Sequence, residues 1–583
     1  MKNNHLRNIR FGLLLGYPAL ERWQHEVIRN LLEGGAQFVV FAHCTGDDKP
    51  KENLYNRLKS FQWHQLIFKL WHKYVYKPAA KELNTIDEML AQTTLTIKVK
   101  NTSHYVSFSD HDIDKLKEFR CDFFLQFWMG IIQGEVLNIA SHGIWSFHHG
   151  DEEYYRGTPP GFWEIYNKEP ITGAILQQLT DKLDKGIILK KGYFPTVAHS
   201  WNHQTENLLM QTIRWPAQCA FDLINGTLEK KESHSKARIY KPPKNLVFIL
   251  FICKLVINRI AFHLHNIFKA EDWNIGIYMG SKPVKPADEV RLLNKHREED
   301  DNNKLDRKWN SEKELTWFLK VSKDRFVADP FLFEVDDIWW LFFEDFSYKS
   351  GKGVISAIKL GEVGSFPYEV KKVLELPHHL SYPFLFGYEG KIWCLPECHA
   401  AHKLQLFELD RTTFQMIPGP VLIEGRDLVD PTLWHDGQRW WLFAGEKPYQ
   451  SNNLFIWYSD NPFGPWHEHS ANPVKQDIRS SRPAGNLYVE NGKLIRPTQD
   501  CSNHYGRRVN LNHITELTLL KFKEEPYGVI EPDKQWLFNK GLHTWQYFEQ
   551  FTVIDAKRFS YIPSAAKMAF YKLIRRKMKV DYD

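Results

Sequence analysis

The chain has 583 residues, beyond the size at which one hydrophobic core keeps growing, so its length predicts at least two domains. With 76 Lys and Arg against 70 Asp and Glu, the formal charge of +6 is too small to call for nucleic acid as a partner. Seven dispersed cysteines exclude a disulfide framework and fit reduced thiols in a cytoplasmic protein, and an aromatic share of 14%, with 21 Trp, demands a local cause.

The opening MKNNHLRNIRFGLLLG has too few apolar residues for a secretion signal and reads as a first strand. From Phe11 to Leu15 a strand is predicted, then a helix from about Leu20 to Leu32, then the β-rich AQFVVFAHC. A helical stretch over 58–92 follows, without an evident role. Next come the strand LTIKVK, a helix from Asp110 to Phe119, and the strands DFFLQFW and GIWSFHH. Strands alternating with helices predict a parallel, Rossmann-like α/β sheet, whose ligands bind beyond the carboxyl ends of the strands. Along GIWSFHH, Ser146 and His148 share one face. Asp184 follows the β run GAILQQL in a polar loop that ends at Gly186, placed to pair with His148 as a general base. Read alone, such a His is as well explained by a structural role.

The segment from Ser146 to Gly186 resembles the formyltransferase family that includes methionyl-tRNA formyltransferase and the sugar N-formyltransferases. His148, the Arg156–Gly157 pair eight residues on, Leu183 to Gly186 as Leu-Asp-x-Gly, and Gly130, Ile131 and Ile132 after DFFLQFW carry the resemblance. The resemblance implies transfer of a formyl group from 10-formyltetrahydrofolate to the amine of an amino sugar, on a nucleotide or a lipid carrier. It implies His148 as the proton acceptor, Asp184 as the group that orients it, and Gly130, Ile131, Ile132, Leu183 and Gly186 around the folate. Ser146 stands where the family has Asn, so the oxyanion donor passes to Ser146, His149, a backbone N–H or a water. Arg156 is better read as a buttress of its loop than as a catalytic group. The competing reading is a carbohydrate-binding or glycan-active propeller protein whose first domain has lost its chemistry.

The first domain is expected over 1–240, ending at IYKPPKN. An amphipathic linker helix is expected over 241–270. Its apolar run from Leu246 to Ile257 is broken by Lys254 and followed by Asn258 and Arg259, short of the roughly 18 residues a bilayer span needs. It is therefore expected not to cross a membrane, although it and the basic tail over 561–583 could lie on the inner face of one.

Over 271–560 the chain repeats itself, with prolines at 330, 383, 431 and 483, each followed by a β run, a turn and a second run. That period predicts propeller blades. GLHTWQYFEQFTVID supplies a fifth unit and WNIGIYMG a closing strand, so an all-β five-bladed propeller is predicted, with the Trp excess packed between blades. Asp329, Tyr382, Asp430 and Arg482 precede the four prolines and are expected to converge on the axis; Glu344 and Glu397 add acids. Such carboxylates resemble those of five-bladed glycoside hydrolases, and the blade motif is more similar to the propeller domain of the plant glucosamine inositolphosphorylceramide transferases. Sugar binding is the expectation, against the plainer reading that Asp-Pro starts a strand and caps a turn. Cys394, Cys398, His399 and His402 are spaced like metal ligands but lack a second pair, so no metal is expected.

Overall fold

A computed structural model describes residues 5–46, 62–84, 94–101, 105–181, 186–279, 285–286, 315–318, 322–363, 369–548 and 551–570. It divides into two compact units, Met1–Ile260 and Ala261–Asp583.

The first unit is built on nine strands: β1 (Arg10–Leu15), β2 (Gln37–Gly46), β3 (Thr94–Asn101), β4 (Val106–Ser107), β5 (Phe123–Phe127), β6 (Ile144–His148), β7 (Ile171–Gln178), β8 (Ile187–Pro195) and β9 (Lys231–Glu232). They lie side by side in the order β9-β8-β7-β6-β5-β1-β2-β3-β4. The run β3-β2-β1-β5-β6 is parallel, as the alternation of strands and helices predicts. From β7 outward the sheet is antiparallel. The connection from Gln178 to Ile187 is too short for the crossover that a parallel pair requires, so β7 and β8 turn back on each other.

The helices are α1 (Arg22–Glu33), α2 (Leu66–Tyr74), α3 (Asp110–Glu118), α4 (Phe162–Asn167), α5 (Trp201–Thr212), α6 (Trp215–Ile224) and α7 (Asn245–Phe268). In α1, Trp23, Val27, Ile28 and Leu31 recur on one stripe and are buried against the sheet, while Glu21 and Gln24 form a capping box at its start. Beneath it Phe123 and Trp145 stack with centroids 3.8 Å apart. The described helix inside the predicted stretch over 58–92 is only α2. α7 falls within the helix expected over 241–270, but it departs from the expectation of too short an apolar stretch: an 18-residue window is long and apolar enough to cross a membrane by length and composition.

The second unit is a five-bladed propeller. Blades 1 to 3 run over 325–374, 381–424 and 428–468, blade 4 over 488–530 with Lys285–Pro286 at its outer edge, each an antiparallel sheet. Blade 5 joins Trp545–Tyr547 and Phe551–Ser560 to Ala270–Met279 and Leu315–Trp317. Ala270–Met279 pairs residue for residue with Phe551–Ser560, from Ala270 opposite Ser560 to Met279 opposite Phe551, and so closes the ring with a strand from the other end of the domain. Trp340, Trp393 and Trp457 fill the core between blades 1, 2 and 3, which accounts for part of the tryptophan excess.

Candidate functional site

Asp329, Tyr382 and Asp430 occupy the same place in blades 1, 2 and 3, at the end of a short β segment before the blade proline. Each has a left-handed backbone, with φ of 48°, 47° and 49°, and at each the pairing with the next strand skips two residues. The skip rotates the residue out of the ladder. Its N–H is then taken by a carboxylate from a neighbouring element. Asp329 N–H donates to Asp555 Oδ2 (2.9 Å), Tyr382 N–H to Asp329 Oδ2 (3.2 Å) and Asp430 N–H to Glu397 Oε2 (3.2 Å).

The predicted propeller residues therefore do come together, but in different roles. Tyr382 is wholly buried; its hydroxyl pairs with Thr432 Oγ1 and accepts from Gly485 N–H, so it is a strut between blades. Arg482 donates through Nε and Nη2 to the Asp430 carboxylate and lies over the Tyr505 ring at 4.9 Å. Gln499 Nε2 adds a third donor to Asp430 (2.8 Å). Burial pushes the Asp430 carboxyl up to about 7 against the pull of Arg482.

Two axial residues escaped the proline alignment because blade 5 has no proline at that place. Asp555 accepts from the backbone N–H of His543 (3.0 Å) and Thr544 (2.9 Å), and its Oδ2 lies 2.6 Å from His543 Nδ1. His543 Nε2 is 3.7 Å from Asp329 Oδ1, and the imidazole stacks on Trp273 at 3.9 Å. Burial opposes its charge, but the Asp555 and Asp329 carboxylates raise its pKa above the usual imidazole value. Ligand atoms of Asp329, His543 and Asp555 lie within 4.8 Å of one another, a donor set that a hard cation or zinc could use. Protonated, the same imidazole offsets one of the two carboxylate charges.

Toward one rim the network opens. His399 Nδ1–H donates to Glu397 Oε1 (2.7 Å), and Lys447 Nζ donates to His399 Nε2 (2.6 Å), so a relay runs from Lys447 through His399 and Glu397 to the Asp430 backbone. Burial works against the Glu397 carboxylate, but the His399 hydrogen bond and the Arg482 charge hold its pKa down at about 2. Glu344 has the opposite fate. Burial, then the charges of Asp329, Glu397 and Asp555, raise its pKa well above the usual glutamate value. His379 Nε2 lies 3.8 Å from Glu344 Oε1, while His379 Nδ1 accepts from Gly353 N–H (2.9 Å). His379 and His399 keep 28% and 19% of their side chains exposed, above acids that keep under a tenth. Of Cys394, Cys398, His399 and His402, whose spacing resembles a metal comb, Cys398 Sγ donates to Lys403 O, His399 to Glu397, and His402 pairs with Asp427. A separate cavity of about 350 Å³ lies on blade 1, lined by Phe318, Arg325, Asp345 and Lys372 among others, away from the axial acids.

In the first unit, Ser146 and His148 sit at the end of β6. Ser146 Oγ accepts from Gln126 Nε2 (2.6 Å) and His148 Nε2 donates to Tyr155 O (2.9 Å), which fixes the tautomer. His149 lies on the other face, buried against Trp23 and Phe147, and burial lowers its pKa to about 3. Gly130 and Ile131 are exposed, Ile132 is buried, and Val106 N–H donates to Ile131 O (2.7 Å). Gly134 N–H donates to Asp181 Oδ1 (3.1 Å), bringing this loop beside the one that ends at the buried Gly186. Leu183 and Asp184 lie outside the described residues. Arg156 donates to Ala237 O (3.2 Å), and Arg156–Gly157 pairs with Ile239–Tyr240 as a buttress. Lys191 is a group the sequence did not single out. It is largely buried with Asp151 (2.8 Å) and Glu152 (3.1 Å).

The second unit is thus a closed five-bladed ring with buried acids at its axis and His379 and His399 toward one rim. The family model described as glucosamine inositolphosphorylceramide transferase 1, N-terminal, matches residues 269–561, and the chain belongs to that family. Glucosamine inositolphosphorylceramide transferase 1 of Oryza sativa subsp. japonica is 37% identical over 227 residues, covering 38% of this chain and 30% of the relative. The chain thus spans about 30% of that relative's length. Methionyl-tRNA formyltransferase of Prochlorococcus marinus is 28% identical over 133 residues, 21% of this chain and 40% of the relative. Among solved structures, a family 117 glycoside hydrolase from Zobellia galactanivorans matches at TM-score 0.30 and 10% identity, over 41% of this chain and 87% of that one.

These matches correct the expectation of an N-formyltransferase. The relatives matched over 227 to 241 residues are named for glucosamine transfer, whereas the formyltransferase match covers 133 residues.

Proposed function

We propose that the propeller holds an amino sugar at the His379–His399–Lys447 rim, and that the chain serves glycosyl transfer onto a lipid-linked acceptor. The observation that carries this reading is the relay that ends at the rim. His399 Nε2 is an acceptor backed by an ionised carboxylate, and Lys447 already sets an ammonium on it. The ammonium of a glucosamine unit meets the same chemistry by displacing Lys447 from that single lone pair, with ring hydroxyls left for His379 and its neighbours. The names of the matched relatives, which join glucosamine to inositolphosphorylceramide, support that sugar and that carrier.

Calorimetric titration with glucosamine linked to inositol phosphate, and with its N-acetylated counterpart, tests the reading. The free amine is expected to bind about tenfold or more tighter, an advantage lost in His399→Phe. Equal affinity for the two ligands, or none for either, would overturn it.

A glycan-cleaving or glycan-transferring role at the same place is favoured by opposite shifts: burial and neighbouring acids raise the Glu344 carboxyl, while the His399 hydrogen bond and the Arg482 charge lower Glu397. Environments that push two carboxyls apart in this way separate a proton donor from a base or nucleophile. Glu344→Gln would then abolish turnover while leaving sugar binding intact.

A further inference from the structure

We propose that α2 and α7 form a membrane-docking face on the first unit that lies in the plane of an anionic lipid bilayer. The inference does not depend on the sugar site.

Helix α7 carries two apolar stripes. One is docked. Phe248 and Phe251 are fully buried among Phe68, Phe162 and Trp201, and Ile252 and Leu255 pack beside them. Polar groups pin the same side. Lys254 Nζ donates to Tyr166 O (2.7 Å), Asn258 Nδ2 to Ala198 O (3.0 Å), and Asn245 Nδ2 to Trp63 O (2.9 Å). The opposite stripe is Leu246, Ile249, Leu250, Val256, Ile257 and Ile260, which are between 43% and 69% exposed. Those positions follow the spacing of a single helix face, so the exposure is one continuous band rather than scattered residues.

Alongside, α2 packs through Phe68 and Trp71 on Phe248, and leaves Leu70 at 48% and Tyr74 at 61% exposed; Trp63, just before it, is 56% exposed. Trp and Tyr beside an aliphatic band are the residues that favour the bilayer interface. Charge complements this. Residues 241–269 contain five Lys or Arg and no Asp or Glu, of which Lys254 turns to the docked side, and residues 62–81 contain four Lys and no Asp or Glu, of which Lys81 pairs with Glu21. A second copy of the chain on this face would set like charges against each other, whereas anionic headgroups would neutralise them.

The docked stripe also decides orientation. Although α7 is long enough to cross a bilayer, spanning would strip Phe248, Phe251, Lys254 and Asn258 from their partners, so the helix lies flat.

Co-sedimentation of the full chain with vesicles of phosphatidylcholine, with and without phosphatidylglycerol, tests the proposal. Binding is expected to the anionic vesicles, to weaken as salt rises, and to fall about tenfold or more in Ile249→Glu/Ile257→Glu, whose thermal melt stays unchanged because both positions face outward. Failure to bind anionic vesicles, or undiminished binding by the double variant, would overturn it. Resistance to alkaline extraction with protease protection across the bilayer would overturn the in-plane arrangement. A dimer in vesicle-free solution that the same variant dissolves would assign the face to a second copy instead.

Discussion

Asp329, Tyr382 and Asp430 hold a left-handed backbone that non-glycine residues disfavour, at a cost of about 1–3 kcal/mol each. What sustains it is a hand-over of hydrogen bonds, in which each N–H reaches a carboxylate from a neighbouring element. Asp555 accepts from three backbone N–H groups and faces His543, so Asp555→Ala is expected to cost about 3–5 kcal/mol, read as a loss of denaturation midpoint. Glu344 gives a pH signature. Its folded pKa lies above that of the unfolded chain, so its contribution is complete below the ordinary glutamate range and is lost as pH rises toward the folded value. Glu344→Gln removes that titration. As pH rises above the ordinary glutamate range the melting midpoint of the native chain should fall relative to the variant, and a constant difference would contradict the assignment.

At the scale of elements, the loop at Arg156–Gly157 depends on close approach. Gly157 has φ of 92°, and a Cβ there would stand 2.1 Å from Tyr240 O, so Gly157→Ala is expected to lower stability by about 1–3 kcal/mol in thermal melts. Blades 1 to 3 were legible in the sequence because each carries its proline at the bulge, and the proline marks the residue turned toward the axis. Blade 5 was legible as a repeat and as a closing strand, yet His543 and Asp555 were not legible as site members, since no proline flags them. The rim was hidden for another reason: His379, His399 and Lys447 come from separate blades and loops that only the ring brings together. The helix of α7 was legible, but the role of its polar Lys254 and Asn258 was not: they interrupt the apolar run because their side chains reach carbonyls of the first unit. The antiparallel half of the first sheet was hidden because apolar β runs carry no sign of direction.

For the whole molecule, the ring has one weak point. Removing residues 270–279 takes away the central partner of Phe551–Ser560 and of Leu315–Trp317, so the truncated chain is expected to aggregate or to lose cooperative unfolding, as scattering during a thermal ramp would show. The same closure sets a timetable during synthesis. Ala270–Met279 leaves the ribosome well before Phe551–Ser560 exists, and at about 5–20 residues per second the gap lasts roughly 15–60 s. Throughout that interval a β-rich edge waits without its final neighbour, and chaperone demand in the cell should track translation speed across the intervening blades.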